Sequence, residues 1–297
     1  MLLSFIIQFM HRTLIAGFRY AFAGIKIAWR QEINFRIEVL CAVVVFCLAI
    51  ILDLSAIECS VLTITVFFVL AVEIFNTALE EVCDKFHPAH DPHIEKIKDL
   101  SAAAVLAASL GALCVGAVIF IPHVIGLVTG FDIGFENMLV AVREPSLLAF
   151  FFLVTLFAEP YFIAFVAVIV FVILTLRRST RVLGFVTTLV GTAASVWVIK
   201  AVVHRPRPDE LIAFMHENSF SFPSGHATGA VAFYGFLMYL AWKNVHNRIL
   251  KESLLFFGFL FILAIGFSRL YLGVHFPSDV IAGYAIAGLW LLVGICF

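Results

Sequence analysis

The sequence predicts an all-α integral membrane protein in two modules, and three observations predict it. Of 297 residues, 63% are hydrophobic and 13% charged, where ordinary globular domains are roughly 45–50% apolar and 25% charged. The apolar residues gather in runs long enough to cross a bilayer as helices, which satisfy their own backbone polar groups. Around 122–135 the composition shifts, with Pro122, Gly126, Gly130 and Gly134 in a short span, and this marks a boundary between modules.

Residues 11–30 open the first module as an amphipathic helix. Arg12, Arg19, Lys26 and Arg30 recur every seven or four positions, and Leu14, Phe18, Phe22, Ile25 and Trp29 form the opposing stripe. That pattern suits a helix lying among lipid headgroups with its cations toward anionic lipid. Spans are expected at about 37–53, 57–83, 98–121, 160–176, 182–203, 226–242, 252–270 and 278–296. Basic clusters at 26–36, 85–98, 177–181 and 243–251 belong inside, and the acidic link 53–58 belongs outside. Parity then requires 122–159 to return to the side it left. Its apolar piece 146–158, bounded by Pro145 and Pro160, reads as an interfacial or re-entrant hairpin. The expected modules are 1–121 and 136–297, joined by a linker over 122–135.

Other features set limits. A net charge of −1 gives no bulk basicity for nucleic acid. Six cysteines (41, 47, 59, 83, 114 and 296) lie in or beside apolar runs with no CxxC pair, and read as buried small hydrophobes. The opening MLLSFIIQFMHR has a short apolar core with no charge ahead of it, so no cleaved signal peptide is expected.

The first polar concentration is EIFNTALEEVCD (73–84), directly after an apolar run. Glu73, Asn76, Glu80 and Asp84 fall at i, i+3, i+7 and i+11, on one helical face. Glu32 lies upstream, and Lys98 and Asp99 open the third span, so all these groups meet the same membrane boundary. Ionisable residues there are costly and mark function by default. Carboxylates with an amide and a lysine suit a Mg²⁺–nucleotide phosphate site, with one carboxylate left to deprotonate a lipid hydroxyl. No GxxxxGK[ST] loop is present, so a P-loop site is excluded.

FRYAFAGIKIAW, QEINFR, EIFNTALEEVCD and KIKDLSAAAVL, in that order over 11–121, resemble the prokaryotic diacylglycerol kinase family, and especially its undecaprenol kinase members. The resemblance implies ATP-dependent phosphorylation of a lipid alcohol, in a homotrimer with active sites between protomers. It makes Glu73 the base, gives Glu32 and Glu80 to Mg²⁺–ATP, and leaves Asn76, Lys98 and Asp99 to position the nucleotide. His90 and His93 read as loop variation.

The second concentration comprises KAVVHRPRP (200–208), FPSGHAT (222–228) and SRLYLGVHFPSD (268–279), all expected on the outer face. Lys200, Arg207 and Arg269 suit a dianionic phosphate ester; one histidine attacks phosphorus and the other protonates the leaving oxygen. Asp279, four residues after His275, is placed to fix that imidazole's tautomer. Gly225 beside Ser224 lets backbone N–H groups approach phosphate at a helix N-terminus. These three segments resemble the type 2 phosphatidic acid phosphatase superfamily over roughly 136–297. The resemblance implies His275 as nucleophile, Asp279 as its partner, His226 as acid and then base, phosphate binding by Lys200, Arg207, Ser224, Gly225 and Arg269, and no metal. His204 and Arg205, inside the first motif's spacer, read as surface or headgroup contacts.

The expected whole is a multi-pass bacterial inner-membrane protein, with a cytoplasmic kinase site and a periplasmic or extracellular phosphatase site. With undecaprenol and undecaprenyl pyrophosphate as substrates, both reactions yield undecaprenyl phosphate, and this shared product favours the polyprenyl reading. Diacylglycerol with phosphatidate or phosphatidylglycerophosphate, a lipid phosphotransferase, and one half acting only as an anchor or regulatory module remain open.

Overall fold

A computed structural model describes residues 2–86, 91–208, 213–214, 217 and 219–297, with side chains from Ala16 onward. His90 and the side chains of Arg12 and Leu14 lie outside the described residues. Ten helices account for nearly all of it, and there is no strand among the described residues. They are α1 (Leu2–Gln31), α2 (Ile33–Ile51), α3 (Ala56–Phe86), α4 (Pro92–Ala141), α5 (Pro145–Leu156), α6 (Pro160–Leu176), α7 (Val182–Val203), α8 (Gly225–Asn244), α9 (Arg248–Tyr271) and α10 (Pro277–Ile295).

Local chemistry sets the helix starts. Prolines at the first helical position open α5, α6 and α10, where the missing N–H costs nothing. Asn247 caps α9 by accepting from the Leu250 N–H at 3.0 Å, and Ser224 caps α8. His204 ends α7 in the left-handed region, with φ of 49°.

Two compact units divide the chain, Met1–Leu127 and Val128–Phe297, and the division falls within α4. In the first unit, Ala49, Leu54, Leu62 and Ile119 form the apolar core. In the second, α8 is the central helix, packed by α7, α9 and α10. Phe185, Phe233 and Phe236 form one core there, and Ala230 with Ile265 forms another. Helices α7 and α10 approach so closely at Gly184 and Gly294 that a β-carbon on either would strike the other's backbone; small residues permit such crossings.

Among the described residues, seven segments are long and apolar enough to cross a membrane. Large apolar side chains such as Phe67, Phe165, Phe257 and Leu289 stand exposed, as they do where the solvent is lipid. The protein is a multi-pass membrane protein.

Two expectations are corrected and a third is refined. The segment 122–135 is not an open linker but part of α4. Glycine and proline break helices in water, yet away from water the helix remains the backbone's best hydrogen-bonded state. Of the eight expected spans, the one at 226–242 is present as helix α8 but is less apolar than the seven. It opens with a polar, glycine-containing sequence and is shielded by neighbouring helices, so it needs no lipid-like surface. The cysteines are free, but Cys41, Cys47, Cys114 and Cys296 are exposed rather than buried, which lipid surroundings allow.

Candidate active sites

In the first unit, burial grades along the acidic face of α3. Glu73 is 1% exposed, Asn76 and Glu80 are half-buried, and Asp84 is exposed. Asn76 donates to Glu80 at 3.1 Å. Ser101 of α4 donates to the Asn76 carbonyl oxygen at 2.6 Å, and Lys98 pairs with Asp84 at 2.5 Å. Glu32 ends the break between α1 and α2 as the N-cap of α2, with no side-chain capping bond. Glu32 and Glu80 both lie within electrostatic range of Glu73. Asp99 is exposed and outside this cluster. His93 is exposed and its backbone N–H caps onto Asp91 at 2.7 Å.

Sequence reading missed Glu38. It lies on α2 within range of Glu73, and one buried oxygen of each carboxylate has no hydrogen-bond partner. Its position six residues after Glu32, inside an apolar run, was the available signal. Buried, unpaired carboxylate oxygens are costly unless a cation or donor completes them. Among the described residues no three His, Cys, Asp or Glu side chains form a ready metal cluster. Mg²⁺ needs only one or two carboxylates beside phosphate oxygens, and this donor set, all oxygen with orphaned acceptors, fits it.

In the second unit, the three motif segments converge. His275, in the turn between α9 and α10, is buried, with Nδ1 3.4 Å from Asp279 Oδ2. On the ring's other side, Arg207 approaches Nε2 at 3.2 Å and donates to the Val274 carbonyl at 2.7 Å. Burial, then the charges of Arg269, Arg207, Lys200 and His226, hold the His275 imidazolium well below the ordinary histidine value. The ring is therefore neutral at physiological pH, and with its proton on Nδ1 the Nε2 lone pair faces Arg207. Burial also pushes the Arg207 guanidinium down, and Asp279 opposes that shift.

Lys200 donates to Ser219 at 3.2 Å and to the Phe220 carbonyl. Arg269 is fully buried and donates to Thr155 at 2.8 Å. Ser224 is buried, capping Ala227 at 3.5 Å and donating its N–H to the Asp279 carbonyl at 3.1 Å. Gly225 has open space where a β-carbon would stand. A cavity of about 640 Å³ lined by Lys200, Arg205, Arg207, Glu217 and Phe220 opens onto this cluster.

Four acidic or basic partners escaped the sequence reading. Glu159, the N-cap of α6, lies 3.2 Å from His226 Nε2. Glu217 bridges Arg207, at 2.9 Å, and Arg269, so a carboxylate occupies the arginine N–H groups that a phosphate would use. Asp132 and Arg205 form an ion pair at 2.6 Å. Arg205 is thus not a surface contact: it also donates to Asp279 at 2.7 Å and stacks over the Phe276 ring at 4.5 Å. Its neighbour His204 is exposed, as expected. Glu159, Glu217 and Asp132 lie outside the motifs, so their spacing carried no signal.

A cluster of carboxylates in the first unit and a cluster of histidines with cations in the second give the chain two candidate sites suited to phosphate chemistry. The family model described as Prokaryotic diacylglycerol kinase matches residues 19–120, and that of the PAP2 superfamily matches 181–297. The chain belongs to the prokaryotic diacylglycerol kinase family through its first module, and its second module is similar to the PAP2 superfamily. It is 39% identical over 116 residues to a diacylglycerol kinase of Synechocystis, covering 39% of this chain and 66% of that protein. It is 38% identical over 91 residues to phosphatidylglycerophosphatase B of Bacillus subtilis, covering 30% of this chain and 44% of that protein. Undecaprenol kinase of Bacillus subtilis is 30% identical over 106 residues, covering 36% of this chain and 86% of that protein. A solved PAP2-type phosphatidylglycerolphosphate phosphatase from Bacillus subtilis superposes with a TM-score of 0.52 at 27% identity, covering 57% of this chain and 84% of that one.

Proposed function

We propose that the chain is a bifunctional lipid-phosphate enzyme. Its first site phosphorylates a lipid alcohol from ATP on the cytoplasmic side of a bacterial inner membrane, and its second dephosphorylates a lipid phosphate or pyrophosphate on the outer side. The observation that carries this reading is the placement of His275 between Asp279 and Arg207, beside a cavity lined by Lys200, Arg205 and Arg207.

At the second site, Nε2 of His275 attacks phosphorus and the bond to the lipid oxygen breaks. His226 protonates that oxygen, then takes a proton from the water that attacks the phosphohistidine, and inorganic phosphate leaves. Asp279, 3.4 Å away, is placed to take the nucleophile's Nδ1–H, and Glu159 orients His226. Lys200, Arg207, Arg269, the Ser224 hydroxyl and the Gly225 N–H serve the charge that builds on the phosphoryl oxygens. Glu217 yields its two arginines to the incoming anion.

At the first site, Glu73 accepts the lipid hydroxyl proton, and Asn76, Lys98 and Asp99 position the nucleotide. Glu32 and Glu80 would hold Mg²⁺, which would neutralise charge across the nucleotide phosphates. The exposed Asp99 and the orphaned carboxylate oxygens agree with a site completed between protomers of a homotrimer.

For the lipid, we propose undecaprenol and undecaprenyl pyrophosphate, because both reactions then deliver undecaprenyl phosphate instead of opposing one another. A second reading, diacylglycerol with phosphatidate or phosphatidylglycerophosphate, is favoured by the higher identity to the Synechocystis diacylglycerol kinase. Purified chain assayed on both lipid pairs separates them. Turnover of undecaprenol and undecaprenyl pyrophosphate is expected; turnover of diacylglycerol alone would overturn the polyprenyl reading. Release of free phosphate, rather than its transfer to a second lipid, distinguishes a hydrolase from a phosphotransferase.

A further inference from the structure

We propose that Asp132 is a positioning residue of the second site, acting on the His275–Asp279 pair through Arg205 and Ser278; this rests on the phosphatase reading above. Asp132 lies on α4, ahead of the region that the PAP2 model matches, and no motif contains it.

The case begins with a buried charge. Asp132 is fully buried, and a buried carboxylate persists only where donors surround it. Three do. The Ser278 N–H donates to Oδ1 at 3.0 Å, the Ser278 hydroxyl to Oδ2 at 2.5 Å, and Arg205 to Oδ2 at 2.6 Å.

The need for them comes from the start of α10. Phe276 occupies its N-cap and brings no acceptor, so the first N–H groups of the helix must find acceptors elsewhere. The Asp279 side chain takes the Phe276 N–H at 2.9 Å, and Asp132 takes that of Ser278. One carboxylate from outside thereby replaces the missing cap, on the same turn that carries Asp279.

Arg205 then joins the two carboxylates. One terminal nitrogen donates to Asp279 Oδ1 at 2.7 Å and to the Ser278 hydroxyl at 2.6 Å, and the other reaches Asp132. With Oδ1 held by Arg205 and Oδ2 by the Phe276 N–H, Asp279 has one orientation, which aims Oδ2 at His275 Nδ1. Asp132 shares the Arg205 charge. Without it, the whole guanidinium charge falls on Asp279 and weakens its hold on the imidazole.

Phosphate release from undecaprenyl pyrophosphate and from phosphatidate by the full chain tests this. Asp132→Asn keeps the side-chain shape and removes the charge. It is expected to lower kcat by about 10- to 100-fold, the loss usual when a group supporting a site residue is removed, with KM within about twofold. If Asp132 acts through Arg205, the Asp132→Asn/Arg205→Gln pair falls no lower than Arg205→Gln alone. Unchanged kcat in Asp132→Asn overturns the proposal, as do losses that multiply in the pair. Should Asp132→Asn fail to give a monodisperse particle, Ser278→Ala removes one link; a two- to tenfold fall in kcat, the worth of one hydrogen bond, supports the proposal, and wild-type kcat overturns it. A wild-type chain releasing no phosphate from either lipid overturns the phosphatase reading, and this proposal with it; wild-type turnover matched by Asp132→Asn overturns this proposal alone.

Discussion

The two sites of this chain satisfy their charges differently. In the second unit nearly every charged group has a counter-charge from the same chain: Asp279 and Asp132 have Arg205, Arg207 and Arg269 have Glu217, and His226 has Glu159. In the first unit, Glu73 and Glu38 each keep a buried oxygen without a partner, and Asp99 stands exposed. The phosphatase-type site is largely paired within the chain, although Arg269 Nε and His275 Nδ1 are buried without a hydrogen-bond partner. The kinase-type site keeps carboxylate oxygens open for the cation proposed above. A largely paired site is sensitive to its central residue, whereas an unfinished one is sensitive to whatever brings its cation.

Breaking the first kind gives the largest effect. His275→Ala is expected to bring lipid phosphate hydrolysis down to background, a loss on the order of 10⁴-fold or more, while ATP-dependent lipid phosphorylation by the same preparation is unchanged. Phosphate release and lipid phosphorylation measured side by side check both halves. Glu73→Gln is the reciprocal test, expected to cut lipid phosphorylation by about 10²- to 10⁴-fold without touching phosphate release. Arg269→Gln comes next, at about 10²- to 10³-fold in kcat for hydrolysis, because it removes a fixed donor but leaves the nucleophile. Substituting it also leaves Glu217 with Arg207 alone.

The smallest effect is a displacement along the pH axis. The groups facing His275 are Arg269, Arg207, Lys200 and His226, with Asp279 opposing them. Neutral imidazole is the nucleophile, and a depressed value keeps it neutral into acid. The acid limb of kcat/KM is therefore expected below pH 6.5. Arg207→Gln removes one of the depressing charges, so the limb moves up toward the ordinary value; a limb that stays in place contradicts the role given to these cations.

How much was legible follows from how each feature is encoded. Helix existence was plain in the apolar runs, and the two clusters were plain because polar residues stand out against them. Helix α4 runs on past Pro122 to Ala141, since helix breakers judged by their behaviour in water continue a helix in apolar surroundings. Arg205 was taken for a surface group because its neighbours in sequence are a motif spacer; only the fold brings Asp132 and Asp279 to it. Glu38 was visible as an acid in an apolar run, yet its relation to Glu73 depends on the packing of α2 against α3.

By itself, then, the sequence determined the solvent, the helices, the two modules and the chemistry of each motif, all of which are local or periodic properties. The tertiary structure alone decided which charges answer one another. Asp132, Glu159 and Glu217 reach their partners across 73, 67 and 10 or more positions of chain. No local pattern records such distances, while the cost of burying a lone charge makes each pairing necessary once the helices have packed.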